Sequence, residues 1–508
     1  MTQGAMGNLI NRYRAVLRKC RVKNAMNRIV LAGALLAAPL FAEGLSSVTG
    51  GTGTVWAATY SLDNQANDFA HTGAPQSDDA ESSGLTGTVG TEHAGDSIYG
   101  GLATTPSSQS YDSIASGNNL TIEGDSSTSF SKTAIAGYAS NGGSGSSTAS
   151  NNVLTVTNAL FDNNGAYITQ TGIVGGMADF QSGDVLGKDA IADNNTVTVQ
   201  GEGSKVRIRV LGAHASHNDY SQTVGIARAN GNSVDIRDGA WVIGAVLGAE
   251  AIGDRELEEG YAEANGNTVK ISNATIGEVD GSTARNPVTG ASVNAMRVQN
   301  SYGNTVEISG SVLTGGHAQE DSKSYVLALS IIAGADPVST RDNIVRFSDS
   351  EIDGYVSGTY LETHGGSAEA SGTRVTVQGS KVGGDVKGDY VSSTGGDAIA
   401  QGGSVSVLNN STVGGIITGA FTAVVGTISA DSRASGNTLT IENSKVGSYV
   451  YGGLAMNWSD GIAEASGNTL DLKNVNALSL IMPSFAQNNG SGKAVAEGNT
   501  VTSQGGTL

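Results

Sequence analysis

Three small groups of residues have the types that chemistry needs. Gly95-Asp96-Ser97-Ile98 sets a serine beside an aspartate, the raw material of an activated nucleophile. His214, His217 and Asp219 have metal-ligating side chains within six residues. Tyr355, Tyr449 and Tyr451 could form a sugar-stacking strip. Each group also has a plainer reading. Ser97 lies in a strand-like stretch with no helical α/β context around it. On a strand, positions i and i+3 point to opposite faces, so His214, His217 and Asp219 read as a solvated loop cluster. The tyrosines read as ordinary packing or exposed strand aromatics. No Gly-Asp-Ser-Gly block, calcium-binding nonapeptide array, phosphate loop or Cys-x-x-Cys occurs. We expect no catalytic residue, no cofactor and no metal.

The elements that would position such residues repeat. The stretch 434–455, ASGNTLTIENSKVGSYVYGGLA, contains Leu439 and Ile441 at period 2, a turn pair Asn443-Ser444, then Val446, Tyr449-Val450-Tyr451 and a Gly452-Gly453 break. The Gly-Asn-Thr-Leu-Thr-Ile signal recurs at Asn118, Asn232, Asn267, Asn304 and Asn468. Weaker copies align Asn152, Asn195, Asn343, Thr373, Gly403 and Asn499 with Asn437. That gives twelve units, spaced by 34, 43, 37, 35, 37, 39, 30, 30, 34, 31 and 31 residues. A third element precedes each Asn, with small residues at i and i+2, as in Ala262/Ala264 and Ala463/Ala465.

A unit this small cannot bury its apolar side alone and must stack on its copies. Three short strands per unit, in parallel register, predict an all-β chain folded as a right-handed parallel β-helix of about twelve 30–43-residue repeats. The Asn column, comprising Asn118, Asn232, Asn267, Asn304, Asn343, Asn437, Asn468 and Asn499, is expected to form a ladder from tier to tier. The preceding Gly allows the bend. A β-propeller or prism also repeats at such lengths, but variable spacing and Gly-Asn corners favour the solenoid. Tyr325–Ala335 and Gly414–Ala430 are expected to be buried strands rather than membrane segments.

Composition agrees. Among 508 residues there are 73 Gly and 6 Pro, and no long 3.6-period stripe follows residue 45. Residues 1–57 hold seven basic residues and one acid, while the remainder holds 21 basic and 46 acidic residues. The acidic remainder argues against nucleic acid as a partner. The one cysteine, Cys20, lies in the basic leader, so disulfides cannot hold the rest together. Basic residues from Arg12 to Arg28 precede the apolar run 29–42, the pattern of a secretory signal over residues 1–57, cut after Ala42 or Ala57. Met26 is an alternative start. Residues 58–96 read as a loose segment or N-terminal cap, and 97–508 as the repeat body.

The leader, the lack of cysteine after it and the GNTLTIENSKVGSYVYGGLA-type repeats together resemble the passenger region of Gram-negative type V autotransporter adhesins. The resemblance covers 97–508 and the leader. It implies export to the cell surface or medium and an adhesive or spacer role, with an unknown glycan or protein of a host or cell surface as ligand. Recognition would lie in variable loops such as 280–300. The chain departs from the family in having no C-terminal translocator, so a truncated sequence or a separate outer-membrane translocator is expected, with an open last coil prone to end-to-end association. Two alternatives remain open. A stalk could carry a missing binding head. Gly95–Ile98 also resembles the nucleophile block of GDSL-type esterases, and a glycan-active β-helix enzyme would need a carboxylate pair on one wall.

Overall fold

A computed structural model describes residues 58–60, 80–91, 97–105, 111–130, 133–162, 172–180, 189–217, 225–253, 261–277, 287–298, 301–314, 324–334, 336–426, 429–477 and 480–507. The chain divides into two units, of which the second comprises Thr54–Ala58 and Ser77–Leu508. The second unit holds the repeats. The leader, Gly95-Asp96 and Asp219 lie outside the described residues.

Each tier runs the same circuit. Thr438–Glu442 is the long strand of a broad wall. Asn443 turns the chain in the left-handed region, φ 49°, and Lys445–Val446 continues the same sheet. Val450–Asn457 forms a second wall, the aromatic wall, and Ala463–Ser466 a third, the alanine wall. Gly467, φ 62°, then returns the chain to the broad wall. Glycine suits this return because a side chain in that region is strained. Asn151, Asn194 and Asp342 serve at the same corner in other tiers.

Every pairing between successive tiers is parallel, as Thr438↔Thr469 and Val450↔Ile481 illustrate. Among the described residues the broad wall is a 23-stranded sheet, and the alanine wall consists of two seven-stranded sheets. The protein is therefore a parallel β-helix, and the propeller and prism alternatives fall. Tyr325–Ala333 and Ile417–Val424 are strands of the aromatic wall with mostly buried residues. Among the described residues no helix is long and apolar enough to cross a membrane. The repeat body also begins before residue 97: Ala80–Glu81 pairs with the alanine wall and Thr86–Val89 with Asn119 onwards.

The Gly452-Gly453 pair does not break the chain. Both residues lie inside Val450–Asn457. Register explains why glycine recurs here. Aligned pairs on the aromatic wall step over one position in each strand, such as Gly212 between Leu211↔Leu247 and Ala213↔Ala249. The irregularity recurs tier on tier, and it reverses the inward–outward alternation. Val210 and Ala213 lie in the core while His214 lies on the outside.

The interior has two apolar columns. One stacks Leu120, Leu154, Val197, Val234 and Val269 beside Ile122, Val156, Val199, Ile236 and Ile271, all fully buried. The other is thin and built mainly of alanine, including Ala370, Ala400, Ala434 and Ala465. Burial of each large aliphatic side chain stabilises by about 1.5–3 kcal/mol. No single tier has enough of them, so the stack folds as a column.

Candidate functional site

The Asn column lies at the corner between the alanine and broad walls. Asn118, Asn152, Asn195, Asn232, Asn267 and Asn304 each donate from both backbone N and side-chain Nδ2 to the Oδ1 of the next tier's Asn. Asn343 is the last acceptor of this run. A second run links Asn437 to Asn468 and Asn468 to Asn499. In several tiers Nδ2 also donates to a carbonyl of the alanine wall, as from Asn152 to Ala115 at 2.9 Å, whereas Asn343 Nδ2 donates to the Thr340 and Thr359 hydroxyls. A buried amide is stable only when so satisfied. Space for it comes from the aromatic wall. A Cβ on Gly453 would lie 2.5 Å from Asn468 Nδ2, and Gly101, Gly137 and Gly176 are as tightly placed against Asn118, Asn152 and Asn195.

The column is interrupted at Thr373 and Gly403, and there the aromatic wall compensates. Thr359 bonds to Thr373 at 3.1 Å. Asp389, one tier on from Thr359, is fully buried. A second column, absent from the sequence reading, runs along the corner inside the broad wall. Ser311, Ser350, Ser380 and Ser411 accept from the backbone N–H one tier below, at 3.0–3.3 Å, and donate to carbonyls two or three residues earlier. Its signal is the serine two residues before each short-strand valine, leucine or isoleucine.

On the outside of the aromatic wall, one row of residues crosses the tiers as Tyr138, Met177, His214 and Glu250. His214 Nδ1 lies 2.9 Å from Glu250 Oε2, and His214 Nε2 lies 3.5 Å from Asp179 Oδ1. Arg209 holds the other Glu250 oxygen at 2.9 Å, and the Tyr138 hydroxyl donates to Asp179 at 3.4 Å. His214 is on the strand Arg209–His217, not in a solvated loop, and His217 is turned away from it and buried. The histidines therefore do not converge on one ion, and among the described residues no group of three metal-ligating side chains is poised for one. Burial opposes a charge on His214, but its bond to Glu250 and the charges of Glu250 and Asp179 prevail and raise its pKa. Burial works against the Glu250 carboxylate too, yet the bond from His214 and the Arg209 charge bring its pKa down to about 2. Burial raises that of Asp179. The arrangement is a chain of alternating charge, Asp–His–Glu–Arg, with both imidazole nitrogens engaged.

Further along the same row, Tyr360, Tyr390 and Phe421 stack with centroids 4.9 and 5.1 Å apart and planes 2° and 14° from parallel. Leu454 and Phe485 extend the row. Tyr360 donates to Glu362 at 2.7 Å. The rings face one another, and each of the three residues is partly exposed. The tyrosines picked out from sequence form no single strip. Tyr355 stacks on Tyr325 at 5.3 Å, whereas Tyr449 stacks on Tyr451 at 6.1 Å, several tiers away. The stretch 280–300 is not simply a loop, since Pro287–Ala295 is a strand of this wall. Outward charges that look scattered in sequence meet across tiers, as in Glu307–Arg346, Glu351–Lys381 and Glu442–Lys473.

Comparison with known proteins found no matching family model, curated protein or solved structure.

Proposed function

We propose that this chain is an exported, non-catalytic β-solenoid that acts in adhesion or as a surface spacer, contacting an extracellular glycan or protein through the outside of its aromatic wall. The observation that carries this reading is the row Tyr360, Tyr390, Phe421, Leu454 and Phe485, a partly exposed aromatic and aliphatic strip along the solenoid. Interior positions repeat because stacking demands it. An outward apolar row has no such demand, and aromatic residues concentrated at one surface favour binding. The basic-then-apolar leader supports export. In the test, purified full chain is applied to immobilised host-surface glycans and proteins, beside a Tyr390→Ser/Phe421→Ser variant of matched circular dichroism. Binding by the parent that the variant loses supports the reading. Equal binding by both removes the strip from it, and full chain retained in the cytosol with Met1 intact removes export.

A second reading, a glycan-active β-helix enzyme, is favoured by one observation. Asp179 and Glu250 are two carboxylates on one wall, bridged by His214. Against it, every oxygen named there is already held by His214, Arg209 or Tyr138. Turnover of a polysaccharide that His214→Ala or Glu250→Gln abolishes would establish this reading instead.

A further inference from the structure

The interruption of the Asn column at Gly403 has an unusual chemistry. In an intact rung the Oδ1 of one Asn accepts from both the N–H and the Nδ2 of the tier below, as Asn468 does from Asn437. At the gap, Asn437 Oδ1 still accepts from Gly403 N at 3.1 Å, but Gly403 brings no amide. The space is not filled by an apolar side chain. A Cβ on Gly403 would lie 3.3 Å from each of Asn437 Oδ1, Asp389 Oδ2 and the Thr373 carbonyl oxygen. Three oxygens thus converge where a ladder side chain is missing. Asp389 reaches this point from the aromatic wall, at the position that elsewhere holds Ala420 or Gly453. It is fully buried and its oxygens make no hydrogen bond of normal geometry, although the Thr359 and Thr373 hydroxyls lie beside it.

Carboxylate, amide and carbonyl oxygens are all acceptors, so as an anion Asp389 has too few donors here. Its other neighbours supply no charge. Thr359 and Ala420 flank it on its own wall, and the residues named beside it, Thr359, Thr373, Gly403 and Asn437, are all uncharged. The charged groups Glu362, Lys387, Glu369 and Arg374 are on the outside. No titratable group faces it among the described residues.

We propose that Asp389 is a proton-operated rung of the ladder: the neutral acid takes the place of the missing amide by donating its O–H to the oxygens gathered at Gly403, and ionisation to solvent opens the interior at this tier. The transfer is a simple one, with the proton leaving to water and the carboxylate then requiring water to solvate it. Burial raises the Asp389 pKa to about 6, with the two threonine hydroxyls only partly opposing this, which puts the change in a range that extracellular and acidified compartments span.

The test is amide exchange of the full chain at pH 5 and pH 7.5, corrected for intrinsic rates and read at Gly403 and at Thr438, whose N–H donates to Gly403 O. Opening at this tier should be more favourable at the higher pH by about tenfold, the part of the linkage between 3.8 and about 6 that falls above pH 5. In Asp389→Asn, whose amide donates at any pH, the difference should vanish and both amides should stay protected. If that variant does not fold, Asp389→Ala/Gly403→Asn rebuilds an ordinary rung and should likewise be insensitive to pH. Equal exchange of the parent at both values overturns the proposal, as does a pH difference that persists in either variant. So does protection at pH 7.5 that returns when sodium or potassium replaces choline, since the oxygens would then hold a cation.

Discussion

At Asn437 one side chain closes hydrogen bonds to three partners, Asn468, Gly403 and Ala400. Replacing it with leucine keeps the volume but leaves Gly403 N and Asn468 Oδ1 short of partners in a dry interior. Asn437→Leu should cost about 1–3 kcal/mol in thermal or denaturant unfolding. Melting like the parent would mean that the column contributes no net stability. His214 makes a prediction with a sign. Its folded-state pKa is raised, so its contribution is complete below its unfolded value of 6.5 and is lost as pH rises through the folded one. His214→Gln should therefore lower stability at pH 5.5 more than at pH 9, as read from unfolding midpoints at the two values. A penalty equal at both would exclude an imidazolium between Asp179 and Glu250. The Asn column was legible because its signal is local, a glycine followed by Asn and two alternating aliphatics. The Asp179–His214–Glu250 chain was not. Its members are 35 and 36 residues apart, and only the register of three strands brings them together.

Individual strands differ in how much of their own placement they encode. The period-2 aliphatics of the broad wall and the Ala-x-Ala strand specify their own burial, so both were readable from the repeat. The aromatic wall was misread because Gly452-Gly453 has the composition of a turn. Its glycines are there to leave room, one for the backbone of the next tier and one for the ladder amide. Gly453→Val should push on Asn468 and cost about 1–3 kcal/mol, the range for overpacking a filled interior. Calorimetry checks it, and an unchanged transition would show that the wall can move aside. On the outer side of the same wall, Tyr390 stacks on both Tyr360 and Phe421. Tyr390→Ala removes two ring contacts, each worth about 0.5–1.5 kcal/mol, whereas Tyr390→Phe should cost little. The pair of variants, compared in urea, separates ring stacking from the hydroxyl.

Among the described residues, many cross-tier ion pairs are exposed, in contrast to the partly buried group of Asp179, His214, Glu250 and Arg209. Glu307–Arg346 and Glu442–Lys473 each have partners at least a third exposed to solvent. Such pairs contribute about 0–1 kcal/mol each and are screened by salt. Stability should accordingly change by little between about 0.05 M and about 1 M sodium chloride, apart from a general relief of the repulsion expected from a net charge of −19. A steep loss with salt, read from urea midpoints, would instead make the outward charges a main source of cohesion. The charge balance itself was legible from composition; its arrangement into pairs was not, because it needs the register.

The strict tier-to-tier register also makes length an editable quantity. Arg374–Gln378 and Ser404–Leu408 occupy equivalent places, in pairing as well as in the circuit. Excising 374–403 would join Thr373 directly to Ser404, and the walls on either side would meet with their columns aligned. The shortened rod should fold with one strand spacing, about 4.8 Å, less reach, and it would have shed both Asp389 and Gly403. Copying or dropping a block of about 30 codons would lengthen or shorten the solenoid by one tier, and could add or remove the gap at Asp389 and Gly403 in the same step.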